Sequence, residues 1–167
     1  CDISGYGTLG TYSKIKAYDL LIQAETGLCS LTGDENNPGR VGVSVCDIAC
    51  GLNAYALILE AIIERETTGL GSSIKISLFD SLSEWMNVPY LQYVYTKKPP
   101  KRVGLAHPSI VPYGCFKTKD NISILFSIQN EREWKSFEKN ILNLSDNLKK
   151  RFNSPTKRLK YKTELNN

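Results

Sequence analysis

Apolar residues recur at three-to-four spacing over two stretches of the first half of the chain, and each predicts a helix. Leu20, Leu21, Ala24 and Leu28 mark the first, over residues 17–31. In the second, over residues 47–66, Ile48, Leu52, Tyr55, Leu59 and Ile62 trace one face. Ala49, Ala56, Leu57 and Ile63 make much of the remainder apolar, which predicts a helix buried on several sides. Ser44 stands where an N-cap belongs, with Asp47 three residues on as a capping-box acid. Gly69-Leu70-Gly71 closes that unit, and residues 73–78 alternate polar and apolar as a half-buried strand does. Asp80 then heads a helix reaching about Tyr95.

Ser4-Gly5-Tyr6-Gly7 and Gly10 read as a flexible loop after a short strand end, and residues 32–39 as a surface loop. Pro99-Pro100 marks a linker, after which the grammar changes. Short strands near 113–117 and 122–128 precede a helix at 131–142 and further helical pieces. A strand between helices indicates an α/β domain over residues 1–98. The hairpin-then-helix order indicates a linker and part of a smaller α+β domain over 99–167.

A chain of 167 residues with 41% hydrophobic content can bury a core. It opens on Cys1 with no signal-peptide pattern and stops in a polar stretch, so it reads as an internal piece of a longer protein. The longest apolar run, 48–63, is bounded by Asp47 and interrupted by Asn53 and Glu60. It falls short of the roughly 18–20 residues that span a bilayer, and the expectation is a soluble, cytoplasmic chain without membrane contact. Five cysteines, mostly among apolar neighbours, suit reduced thiols. Cys46 and Cys50 lie four apart without a second Cys/His pair, so no metal site is expected.

The net charge of +4 is unevenly placed: residues 1–130 carry 11 basic and 12 acidic groups, residues 131–167 carry 10 and 5. Aromatic residues are not interleaved with the basic ones as on a nucleic-acid surface. A solvated helical face is the expectation, with no nucleic-acid partner.

Asp47 stands out chemically. It is the only charged residue between Val41 and Leu59, at the start of the most apolar helix. A carboxylate there is either a cap or a reagent.

The motifs Ile3-Ser4-Gly5-Tyr6-Gly7, then Lys16-Ala17-Tyr18-Asp19 running on to Gly27, then Asp47-Ile48-Ala49-Cys50-Gly51, occur in a telling order. They continue with Glu64-Arg65-Glu66-Thr67-Thr68-Gly69, Ser77-Leu78-Phe79-Asp80, His107-Pro108 and Pro112-Tyr113-Gly114. In this order they resemble the family III CoA-transferases, the group that also includes α-methylacyl-CoA racemase. The resemblance covers residues 1 to about 135 and implies part of a Rossmann-like large domain followed by the start of a smaller one. It implies transfer of coenzyme A between an acyl-CoA thioester and a free carboxylic acid, with Asp47 as the nucleophile. Lys16 and Tyr18 match positions lining the coenzyme A site, no cofactor is held permanently, and the full-length protein is an interlocked homodimer. The fragment alone is expected to be inactive.

Further readings accompany this one. A glycine-rich loop that assists in the family is not matched before His107, where only Gly104 stands. His107, the single histidine, is expected to be structural or site-lining. The racemase alternative resembles a two-base design with histidine where this chain has Tyr18, and tyrosine is a poor base at neutral pH. A non-catalytic scaffold, with Asp47 as a helix acid only, is the other alternative. The motifs look most like members handling short dicarboxylic acids.

Overall fold

The computed structural model describes residues 1–166, which fall into two compact units, Cys1–Arg102 and a second from Val103 onward. In the first, β1 (Asp2–Ser4) pairs in parallel with β2 (Lys75–Ser77), placing Ile3 beside Ile76. Parallel neighbours require a long crossover. Here it contains α1 (Asp19–Glu25) and α2 (Val45–Thr68). Ile22 of α1, Val45 and Cys46 of α2, and Leu82 of α3 (Leu78–Ser83) form the core, with Tyr6, Ala17, Leu28, Val41, Leu78 and Phe79 packed around it. Gly5 lets the loop after β1 close onto this core. A Cβ there would lie 2.2 Å from that of Ala17, a distance no side chain tolerates.

The helix at 17–31 is shorter than its periodicity predicts. Tyr18 is extended, α1 spans seven residues, and Gly27 at φ 87° stops it before a separate 3-10 turn at Leu28–Ser30. The segment after β2 is likewise divided, into α3, a 3-10 turn at Glu84–Met86, and α4 (Asn87–Thr96). Pro89 explains that break, because its ring lacks a donor and crowds the carbonyl four residues earlier. Asp80 is not the cap of this segment. Ser77 is: its hydroxyl accepts the Asp80 N–H at 3.0 Å and donates to the Asp80 carboxylate at 2.6 Å.

In α2 the buried and exposed faces are the reverse of what residue size suggests. Val45, Cys46, Ala49, Cys50 and Ala54 are buried, and Ile48, Leu52, Tyr55, Leu59 and Ile62 are exposed. Small side chains at three-to-four spacing allow close approach to α1 and α3, whereas the large ones point away from both. α2 also corrects the expectation that the apolar run is too short to span a bilayer. At 24 residues it is long and apolar enough, by length and composition, to cross a bilayer, since Asn53 and Glu60 do not end it. Gly69, at φ 72°, does.

The N-terminus of α2 is held from outside. Ser44 occupies the N-cap position but its side chain makes no capping bond. Instead Asp19 Oδ1 accepts the Cys46 N–H at 3.1 Å, while the Val45 and Ile48 amides reach the Val43 and Ser44 carbonyls. The capping carboxylate comes from another helix, a contact that local spacing cannot reveal.

In the second unit β3 (Tyr113–Lys117) and β4 (Ser123–Ser127) form an antiparallel hairpin, with Phe116 stacked on Phe126 at 4.4 Å. Phe126 continues to Phe137 and Trp134 of α5 (Glu131–Phe137). The helix expected over 131–142 ends its regular part at Phe137 and closes with a wider π turn, Glu138–Leu142. Three short helices follow: α6 (Asp146–Arg151), α7 (Pro155–Lys160) and α8 (Lys162–Asn166). Two cations of the basic segment are engaged here. Arg158 is buried on Trp134, paired with Glu131, and donates to Phe152 O at 3.1 Å; Arg151 pairs with Glu164 at 2.6 Å.

Ser44→Ala is therefore expected to change unfolding free energy by less than about 0.5 kcal/mol in denaturant titration, although the residue stands at an N-cap. A second prediction concerns Glu133. Its carboxylate accepts the Gln129 N–H at 2.8 Å and an Asn130 side-chain N–H at 2.6 Å, which lower its pKa from the ordinary 4.5. A lowered folded value means that these bonds contribute above pH 4.5 and are lost as pH falls through the folded pKa. An NMR titration of this carboxyl should give a midpoint below 4.5, and Asn130→Ala should raise it only partway, since the Gln129 bond survives.

Candidate functional site around the start of helix α2

Asp47 is the third residue of α2 and is exposed, although Val45 and Cys46 before it and Ala49 and Cys50 after it are buried. The helix turns its small residues inward and presents one carboxylate outward, at its positive end. Among the described residues neither a main-chain nor a side-chain group hydrogen-bonds the Asp47 carboxylate, so it does not cap α2.

Asp19 does the structural work that Asp47 was a candidate for. Its side chain is only 12% exposed, with Oδ1 on the Cys46 N–H and Oδ2 accepting Gln23 Nε2 at 2.8 Å. Arg40 Nη1 lies 3.6 Å from Oδ2 and also donates to Val41 O at 3.2 Å. Gln23, fully buried, completes the network: its Oε1 accepts the Val41 N–H at 2.8 Å and its Nε2 also reaches Val41 O at 3.3 Å. Three polar side chains thus tie α1, the segment at 40–41 and the first turn of α2 together. Sequence reasoning placed Asp19 and Gln23 within the family motif without giving either side chain a role, and gave none to Arg40. The available signal was a buried-side polar pair, Asp19 and Gln23, at i and i+4 within an apolar helix.

The neighbouring thiol is disarmed. Burial pushes Cys46 up to about 12, and hydrogen bonding to the Asp19 side chain and the Asp19 and Asp47 charges add to the rise; the S–H also donates to the Asp19 main-chain carbonyl at 3.3 Å. A thiol held protonated is neither nucleophile nor metal ligand. Among the described residues, no group of three or more His, Cys, Asp or Glu is arranged to hold a metal.

Lys16 and Tyr18 lie on the extended segment leading into α1, both exposed, with the ammonium 6.0 Å from the ring centroid. Tyr18 precedes Asp19 directly, so covalent continuity links its backbone to the residue that caps α2. His107 belongs to the second unit. Its Nδ1 accepts the Ser109 and Ile110 N–H groups, each at 3.1 Å, and its ring packs 5.3 Å from Tyr113. With Nδ1 accepting, the neutral ring carries its proton on Nε2, and the side chain serves as the staple of a turn.

Comparison with known proteins matches the whole of residues 1–167 to CoA-transferase family III. The chain is 39% identical over 133 residues to human succinyl-CoA:glutarate CoA-transferase, covering 79% of this chain and 30% of that protein. It is 35% identical over 126 residues to the succinate–glutarate CoA-transferase of Agrobacterium fabrum, covering 75% and 32%. The chain therefore spans about a third of the length of these curated relatives. A crystal structure of a CAIB/BAIF family protein from Brucella suis superimposes with a TM-score of 0.79 at 32% identity, over 99% of this chain and 44% of that one. Sequence and fold agree that this chain belongs to CoA-transferase family III.

Proposed function

We propose that the whole protein transfers coenzyme A from an acyl-CoA thioester to a free carboxylic acid, with Asp47 as the covalent nucleophile. The observation that carries this reading is that the Asp47 carboxylate is exposed and makes no side-chain bond, on a helix end already capped by Asp19. The names of the relatives support a short dicarboxylate such as succinate or glutarate as donor acid or acceptor.

The Asp47 carboxylate attacks the thioester carbonyl carbon, the C–S bond breaks, and coenzyme A leaves as thiolate from a mixed anhydride. The thiolate attacks the aspartyl carbonyl, releasing the donor acid and leaving an aspartyl thioester. The acceptor carboxylate attacks that thioester and displaces the thiolate again. Attack of the thiolate on the acceptor's acyl carbon completes transfer and restores Asp47. Lys16 offers a point charge to a phosphate of the coenzyme, and the Tyr18 ring an apolar surface to its adenine or pantetheine part. Tyr18, standing where a racemase would need its histidine, supports transfer over proton exchange. The apolar residues exposed along α2 and α4 fit a protein in which further chain, and a second copy, cover them.

Incubation of the whole protein with succinyl-CoA, followed by peptide mass spectrometry, should find coenzyme A joined to the peptide containing Asp47. Asp47→Asn should lower turnover by at least about a thousandfold. Cys46→Ser should keep the label, because a buried, protonated thiol takes no part. Labelling elsewhere, or normal turnover by Asp47→Asn, would reject the nucleophile.

A further inference from the structure

Resting on that reading, we infer that Asp19 is a positioning residue for the reaction: its carboxylate fixes the first turn of α2 and thereby the direction in which Asp47 is presented. The main-chain amide it holds is that of Cys46, the residue immediately before the nucleophile. A second bond joins the same two residues, from the Cys46 thiol to the Asp19 main-chain carbonyl at 3.3 Å. Rotation or fraying of the first helical turn would break both. The local alternative is absent, since Ser44 makes no side-chain cap.

Only a carboxylate fits the position. Oδ1 and Oδ2 each face a donor, the Cys46 N–H and the Gln23 Nε2, and the Arg40 guanidinium stands beyond Oδ2. Gln23 cannot reverse its amide to suit a different neighbour, because its Oε1 is committed to the Val41 N–H at 2.8 Å. An asparagine would therefore turn its NH2 toward one of the two donors and keep at most one of the bonds. Alanine would keep neither. The order of the variants follows from this count: aspartate, then asparagine, then alanine.

A misplacement of about 1 Å in a reacting group can cost on the order of a hundredfold in rate while leaving ground-state binding in place. The effect should accordingly appear in kcat. In the whole protein, with succinyl-CoA as donor and glutarate as acceptor, Asp19→Ala should lower kcat by about 10- to 100-fold. KM for succinyl-CoA should stay within about threefold, and Asp19→Asn should fall between alanine and wild type. The rate of coenzyme A capture on the Asp47 peptide, per folded molecule, should follow the same order. Should Asp19→Ala fail to fold, the asparagine variant decides alone: a several-fold loss of kcat at unchanged KM supports the assignment, and an unchanged kcat overturns it. Variants that melt earlier yet capture coenzyme A at the wild-type rate per folded molecule would show Asp19 to be structural only. Asparagine no better than alanine would also overturn the assignment. Absence of label on Asp47 in the wild type would instead sink the nucleophile itself, and the positioning role with it.

Discussion

A buried helix start with no cap of its own is the constraint around which the first unit is organised. The first residues of any helix leave amide donors that the helix cannot satisfy. In α2 two of these residues, Val45 and Cys46, are buried, so water cannot serve them freely. The solution is a carboxylate carried on α1, and it brings requirements with it. α1 must begin at Asp19, which the extended Tyr18 enforces. The chain must return at 40–41 to supply Arg40 and the Val41 main chain. Gln23 must be buried to join them. The loop after β1 must also close on Ala17, which only glycine at position 5 permits.

This arrangement divides labour between two acids. Asp19 is surrounded by donors and a guanidinium, and its lone pairs are committed. Asp47 directly follows the residue whose amide Asp19 holds, yet has no side-chain partner among the described residues. An acid that caps a helix cannot readily attack a carbonyl, since the attack would leave a helix donor unsatisfied. Supplying the cap from α1 releases Asp47 from that duty. The capping role, open from residue spacing alone, thus falls to a contact between positions 27 residues apart, which leaves Asp47 free for the role proposed for it.

The sequence made much of this legible and hid the rest for identifiable reasons. Periodicity located both helices and the β2 strand, and the ordered motifs located the family. The glycine stop at Gly69 was visible because a left-handed residue suits glycine. The break before α4 was not read, although Pro89 stood there to signal it. The faces of α2 were misjudged because apolar size was taken as a guide to burial. Close helix packing instead selected Cys46, Ala49, Cys50 and Ala54 for the interior. The role of Asp19 was out of reach, since a tertiary cap leaves no periodic trace. Ser44 and Asp47 imitate a local capping box closely enough to mislead.

The choice of carboxylate over thiol can be argued from the same few atoms. Cys46 and Asp47 are adjacent at the positive end of one helix, a setting that ordinarily lowers the pKa of a cysteine. Here burial, the hydrogen bond to Asp19 and two neighbouring carboxylates act in the opposite direction and raise it to about 12. The thiolate is therefore scarce and the side chain faces inward. A carboxylate is a weaker nucleophile than a thiolate, but it is ionised at neutral pH without help. Its acyl derivative is an anhydride, more reactive toward the departing coenzyme A thiolate than a thioester would be. The exchange proposed for the whole protein is well served by such an intermediate, provided the carboxylate is held still. In the positioning role inferred for it, the Asp19 network holds the carboxylate still, and the same Asp19 side chain adds to the rise that burial gives the neighbouring thiol.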